Sequence, residues 1–189
     1  TGNSSIRGNA DNKPDFIWLE GKVDAAGNNT GVHLTSVKYS TLRNVISDNV
    51  DDGDNNKDDY GIYLTSSSYN RLENVTTNGT VGGGNNSIGI MLRNSSSNNK
   101  LENLVVNTHK YGITLNSDSN TLTGVSMADN SDLSIEIDSA DENTLNTVTV
   151  SGGRYGIFIQ NSATTNTFND LTVSNSTSTG STGAGVYLS

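Results

Sequence analysis

Gly61-Ile62-Tyr63-Leu64, followed after a Ser-rich corner by Asn70-Arg71-Leu72-Glu73-Asn74-Val75, is the stretch that decides the fold. Its first half recurs as Gly31-Val32-His33-Leu34, Gly89-Ile90-Met91-Leu92, Gly112-Ile113-Thr114-Leu115, Gly156-Ile157-Phe158-Ile159 and Gly185-Val186-Tyr187-Leu188, with Ser134-Ile135-Glu136-Ile137 filling the one gap. The second half follows at a nearly constant distance, as in Asn99-Lys100-Leu101-Glu102-Asn103-Leu104. One supersecondary unit repeated every ~22 to ~30 residues is the mark of a solenoid, whose units bury their apolar faces only against their neighbours.

Each unit reads as a coil of three short strands. In the Gly strand the two aliphatic residues face inward and the residue between them outward, the period of a half-buried strand. The second strand supplies one inward residue, Leu42, Leu72, Leu101, Leu122, Leu145 or Phe168. The third alternates apolar and polar, as in Val148-Thr149-Val150. The predicted core therefore includes Ile62, Leu64, Leu72, Val75, Ile90, Leu92, Leu101, Ile113, Leu115, Leu122, Ile135, Ile137, Leu145, Ile157, Ile159, Phe168 and Leu171.

Asparagine falls at fixed places in this frame. Asn44, Asn74 and Asn103 occupy the corner between second and third strands, and Asn70, Asn99, Asn120, Asn143 and Asn166 stand two residues before the second-strand Leu or Phe. Stacked one coil apart, such side chains hydrogen-bond along the axis and satisfy turn backbone groups. Sequons at Asn3, Asn28, Asn74, Asn78, Asn85, Asn94 and Asn175 carry no weight, because a chain this rich in Ser and Thr yields about as many by chance.

Composition fits that reading. Only 31% of the 189 residues are hydrophobic, which suits disorder better than a globule until their strict periodicity is noticed. The net charge of -9 argues against nucleic acid, which needs clustered Lys and Arg. Cysteine is absent, so neither a disulfide framework nor a thiolate site exists, and no apolar run approaches the ~20 residues of a membrane span. The start at Thr1 suits a processed secreted protein or an excised fragment.

The Gly-Ile-x-Leu strands with their Asn-x-Leu-x-Asn-Val turns resemble the right-handed parallel β-helix repeat family, from about Val23 to the end. The resemblance implies right-handed coiling and an extracellular or periplasmic setting. It spans pectate-lyase-like and alginate-epimerase-like enzymes, NosD-like periplasmic proteins, and surface-layer, sheath and adhesin proteins. The expected fold class is thus all-β, a single-stranded right-handed parallel β-helix (β-solenoid) of about seven coils at residues 23–189, preceded by an N-terminal arm and entering strand at 1–22.

Three features are candidates for function. The acidic insertion from Asp48 to Asp59 carries Asp48, Asp51, Asp52, Asp54, Asp58 and Asp59 around Gly53, a calcium-loop-like spacing that lacks the closing Glu of an EF-hand. The outward ladder His33, Tyr63, Met91, Thr114, Glu136, Phe158, Tyr187 offers Tyr63, Met91, Phe158 and Tyr187 as a contact face. Lastly His109, Lys110, Tyr111, Glu136, Arg154 and Tyr155 fall on consecutive coils, where a lyase or epimerase of this scaffold needs a base and a cation. Against catalysis, the chain lacks the acid-His signature of epimerases, an Arg-x-x-x-x-Arg-like lyase motif and the paired Asp of polygalacturonases.

The leading expectation is a non-catalytic, structural, extracellular protein, a self-assembling surface-layer, sheath, fibre or adhesin subunit that needs no cofactor, with Ca²⁺ as the one candidate. It rests on the part-turn at Gly185 to Ser189, which either continues in a longer protein or is completed by another copy through strand pairing. The alternative is a carbohydrate-active module, a uronan lyase or epimerase or a glycan binder. The expected partners are other copies, end-to-end or lateral, and a polysaccharide, with no nucleic acid and no membrane insertion.

Overall fold

The structure, a computed structural model, describes residues 4–9, 17–25, 29–50, 58–79, 86–176 and 183–189. Fifteen strands and no helix occur among them: β1 Ser4–Asn9, β2 Trp18–Asp24, β3 Thr30–Thr35, β4 Thr41–Val50, β5 Asp58–Thr65, β6 Arg71–Gly79, β7 Asn86–Arg93, β8 Lys100–Asn107, β9 Tyr111–Asn116, β10 Thr121–Ala128, β11 Leu133–Asp138, β12 Thr144–Ser151, β13 Tyr155–Gln160, β14 Thr167–Ser174 and β15 Ala184–Leu188. The odd-numbered strands form one eight-stranded sheet and the even-numbered strands a seven-stranded one. Every pairing is parallel and joins strand n to strand n+2, as in β5 with β7 and β6 with β8. The chain thus climbs one coil for every two strands, and the fold is a right-handed parallel β-helix of about seven coils. No helix among the described residues is long and apolar enough to cross a membrane.

One detail differs from the sequence expectation. The second and third strands of each coil are one continuous strand, bent at a single left-handed residue: Asn44, Asn74, Asn103, Gly124, Thr147 or Asp170. One residue at φ between 51° and 68° turns the chain without ending the ladder, so pairing resumes directly on the far side. Asparagine tolerates this region because its short amide side chain hydrogen-bonds locally. Where no asparagine stands, Gly124, Thr147 and Asp170 hold the same backbone, and a Cβ on Gly124 would stand 2.9 Å from Asn103 Oδ1.

The axial core is a column of aliphatic side chains. Ile62, Leu64, Leu72, Ile90, Leu92, Leu101, Ile113, Leu115, Leu122, Ile135, Ile137, Leu145 and Ile157 are fully buried, each stacked in register on its counterpart one coil away. Ile159, Phe168 and Leu171 pack against this column while partly exposed. The glycine of the strand motif answers a close approach: a Cβ on Gly61 would lie 2.6 Å from the Gly89 carbonyl oxygen and 2.9 Å from Thr77 Cβ.

Buried polar ladders finish the interior. The Asn70 backbone N–H donates to Asn99 Oδ1, that of Asn99 to Asn120 Oδ1, that of Asn120 to Asn143 Oδ1 and that of Asn143 to Asn166 Oδ1, each at 2.9 Å. A second, exposed ladder runs from Asn103 Nδ2 to Asn74 Oδ1 and from Asn74 Nδ2 to Asn44 Oδ1, both at 3.1 Å. A third escaped the sequence reading. The Ser67 hydroxyl accepts from Val37 N, Ser96 from Ser67 N, and Ser117 from Ser96 N, before Ala140 takes the place.

Candidate functional site

The odd-numbered sheet places the outward ladder in one unbroken row. His33 pairs with Tyr63, Tyr63 with Met91, Met91 with Thr114, Thr114 with Glu136, Glu136 with Phe158 and Phe158 with Tyr187. The row is not a uniform surface. Aromatic stacks stand toward both ends: His33 and Tyr60 both stack on Tyr63 at 4.5 Å, and Phe158 stacks on Tyr187 at 5.3 Å with Tyr155 tilted against both. Between them Met91 and Thr114 are buried, so the middle of the face is recessed. Tyr63 and Phe158 are four coil steps apart, roughly 19 Å at ~4.8 Å per step.

The recess is a pocket of about 440 Å³, within the range of small-molecule sites. Met91, Ile88, Leu133, Tyr111 and Phe158 give it apolar and aromatic walls, and Asp58, Thr114, Asn116, Asp132, Glu136, Asp138, Arg154 and Gln160 give it polar ones. Asn116, Asp138 and Gln160 belong to a second outward row, two residues beyond the first. The sequence reading missed them, although strand alternation is the signal that places them there.

Glu136 sits at the centre. Gln160 Nε2 donates to its Oε1 at 2.8 Å and Thr114 Oγ1 to its Oε2 at 3.3 Å. Burial, and then the charge of Asp138, push its carboxyl above the ordinary range, against the pull of those two hydrogen bonds. Asp138 Oδ2 accepts from Asn116 Nδ2 at 3.1 Å and its Oδ1 from Asn161 Nδ2 at 2.7 Å. Arg154 pairs with Asp132 at 2.8 Å and lies over the Tyr155 ring at 4.8 Å. At the other end, burial and the neighbouring Asp58 raise the Tyr60 hydroxyl, which donates to Asp58 Oδ2 at 3.1 Å.

The structure separates the six residues of the catalytic candidate. Tyr111, Glu136 and Arg154 reach the pocket. Lys110 lies outside its lining, donating to Asn86 Oδ1 at 2.6 Å with its ammonium over the Tyr111 ring. Tyr155 is buried against Phe158 and Tyr187. His109 is 1% exposed, its backbone N–H held by Asn130 Oδ1 and its Nε2 3.2 Å from Thr77 Oγ1. It is turned into the coil, and burial lowers its imidazole to about 4. His109 is therefore a core residue and no base for the outer face.

Of the calcium candidates, Asp51, Asp52 and Asp54 lie outside the described residues. Asp48 is committed to Lys22 at 2.9 Å and to Asn78 Nδ2 at 2.8 Å. Burial alone would raise its carboxyl, but those two partners outweigh that and lower it. Among the described residues no group of three or more His, Asp or Glu is placed to hold a metal ion.

Residues 28–189 match the family model described as the right handed beta helix region. The chain belongs to this family. Its structure is similar to the crystal structure of pectate lyase Pel9A, with a TM-score of 0.57 and 15% identity over 88% of this chain. It spans 57% of that enzyme's chain, and the likeness is one of fold. A second solved structure, the catalytic domain of a GH87 alpha-1,3-glucanase in complex with nigerose, aligns over 92% of this chain and 60% of its own, with 13% identity and a TM-score of 0.29. No curated protein shows a significant match to the sequence.

Proposed function

We propose that this chain is a carbohydrate-recognition β-helix module of an extracellular protein, which holds a glycan in the recess on the outer face of the odd-numbered sheet. One observation carries the reading: a pocket of about 440 Å³ that sets the Phe158 ring beside planar hydrogen-bonding groups on Glu136, Gln160, Asn116, Asp138 and Arg154. Sugar rings present apolar C–H faces and a rim of hydroxyls that both donate and accept. Aromatic rings take up the faces, and amides, carboxylates and a guanidinium take up the rim. The side chains are held before ligand arrives, since Glu136 and Asp138 are fixed by neighbours on adjoining coils. That preorganisation lowers the ordering cost of binding.

Affinity electrophoresis or calorimetry against a panel of neutral, acidic and aminated polysaccharides tests the proposal. Retention by at least one glycan class, lost in Phe158→Ala, is expected. Absence of binding across the panel overturns it.

Lateral self-association, the structural reading of the sequence, has one separate observation in its favour. Tyr39 and Tyr69 stack at 5.4 Å on one corner while about half exposed, and Trp18, 63% exposed, pairs in register with Thr41 two residues beyond Tyr39. Both tyrosines hold left-handed backbone, at φ 57° and 60°, a conformation rare for bulky residues. Contact through this corner leaves the pocket open, so the two roles are compatible.

A further inference from the structure

Resting on the carbohydrate reading, we infer that the pocket selects a glycan bearing protonated amines, such as a polymer of de-N-acetylated amino sugars, over neutral or uronate chains. The balance of groups lining it carries the argument. Among the described lining residues four carboxyl groups, those of Asp58, Asp132, Glu136 and Asp138, face a single guanidinium, Arg154, and that one is already paired with Asp132 at 2.8 Å. Among the described residues two further cations stay outside the lining: Arg93 lies over the Tyr63 ring at 5.7 Å, and Lys110 is bound to Asn86. A uronate would bring a further negative charge into a recess already rich in carboxylates, with no unpaired cation among its described lining residues to meet it.

The hydrogen-bond inventory points the same way. Each Glu136 oxygen accepts one protein donor and keeps acceptor capacity. Acceptors are in excess, so the complementary ligand is rich in donors. An ammonium offers three N–H groups and a charge where a hydroxyl offers one O–H, and charge-assisted hydrogen bonds are the stronger kind. Phe158 beside the carboxylates supplies a face for the sugar ring that carries the amine.

The test is calorimetric titration of the intact chain with oligosaccharides of equal length built from glucosamine, N-acetylglucosamine, glucose and galacturonate, at about pH 6, where an amine is protonated. The glucosamine oligomer is expected to bind about tenfold more tightly than the neutral ones. That margin should shrink as salt rises from about 0.05 to about 0.5 M. Glu136→Gln with Asp138→Asn should remove the margin yet leave residual binding, with circular dichroism confirming the fold. Equal affinity for aminated and neutral oligomers, or preference for galacturonate, overturns the inference and leaves the carbohydrate reading standing. No binding to any of the four, nor to the wider panel, overturns both.

Discussion

Gln160 Nε2 donates to Glu136 Oε1 at 2.8 Å across one coil step, and Thr114 Oγ1 reaches the other carboxylate oxygen from the coil on the opposite side. Three consecutive coils therefore meet at one carboxyl group. Burial and the neighbouring Asp138 nevertheless hold Glu136 above its ordinary range, so the folded state binds its proton more tightly than the unfolded chain. Stability from this source is full below the unfolded value and is lost as pH rises through the folded one. Glu136→Gln, which keeps the shape and the Gln160 contact while the Thr114 hydroxyl turns from donor to acceptor, is expected to raise the Tm near neutral pH and to leave it unchanged near pH 4. Thermal unfolding of both proteins at the two pH values measures it, and an equal shift at both contradicts the assignment.

Asn120 makes a sharper case, because its removal strands groups that have no water to turn to. Its Oδ1 accepts from the Asn99 backbone N–H and from Asn99 Nδ2, and its Nδ2 donates to Ser117 O and Asp118 O. Asn120→Ala is expected to destabilise by roughly 3 kcal/mol, since a buried unsatisfied donor or acceptor costs about 1–3 kcal/mol and several are created. Asn103→Gly, on the exposed ladder at φ 55°, should cost under about 1 kcal/mol, because glycine accepts the left-handed backbone freely. Urea denaturation of the pair separates the two ladders. Comparable losses would mean that burial does not distinguish them.

Much of this architecture was legible in the chain because a solenoid repeats its physics. Ile62, Ile90, Ile113, Ile135 and Ile157 share one environment, so a single motif read once places them all. The outward row from His33 to Tyr187 followed from strand alternation alone. The shape of that face did not, since the recess at Met91 and Thr114 depends on how large neighbours pack around smaller ones. His109 misled for a related reason. It lies at the corner before the Gly strand, where coils differ in length, and there the sequence offers no fixed alternation to tell a side chain turned in from one turned out.

If the exposed Tyr39–Tyr69 corner is a lateral contact, removing its rings should change assembly and nothing inside the helix. Tyr39→Asn with Tyr69→Asn keeps residues that tolerate the left-handed region. Sedimentation velocity over a wide concentration range is expected to show association in the parent protein and its loss in the variant, with glycan retention unaltered. A parent that stays monomeric throughout dismisses the corner as an interface.

His109 supplies the clearest dependence on acid. It is buried at the corner beneath Gly79, with Nε2 on Thr77 and Nδ1 without a partner, and burial lowers its imidazole to about 4. In the unfolded chain the same group titrates near ~6.5, so in the window between these values the unfolded state binds more protons than the folded one. Stability from His109 is complete above the unfolded value and falls away as pH drops toward the folded one, a swing of roughly 3 kcal/mol at about 1.4 kcal/mol per pH unit. His109→Gln lacks the titrating group. Although it loses packing at neutral pH, it should shed less stability on acidification than the parent. Urea denaturation at about pH 7.5 and about pH 4 is expected to bring the two proteins closer together at the acid end. Parallel losses would show that the imidazole protonates without leaving the core, and would put it within reach of water.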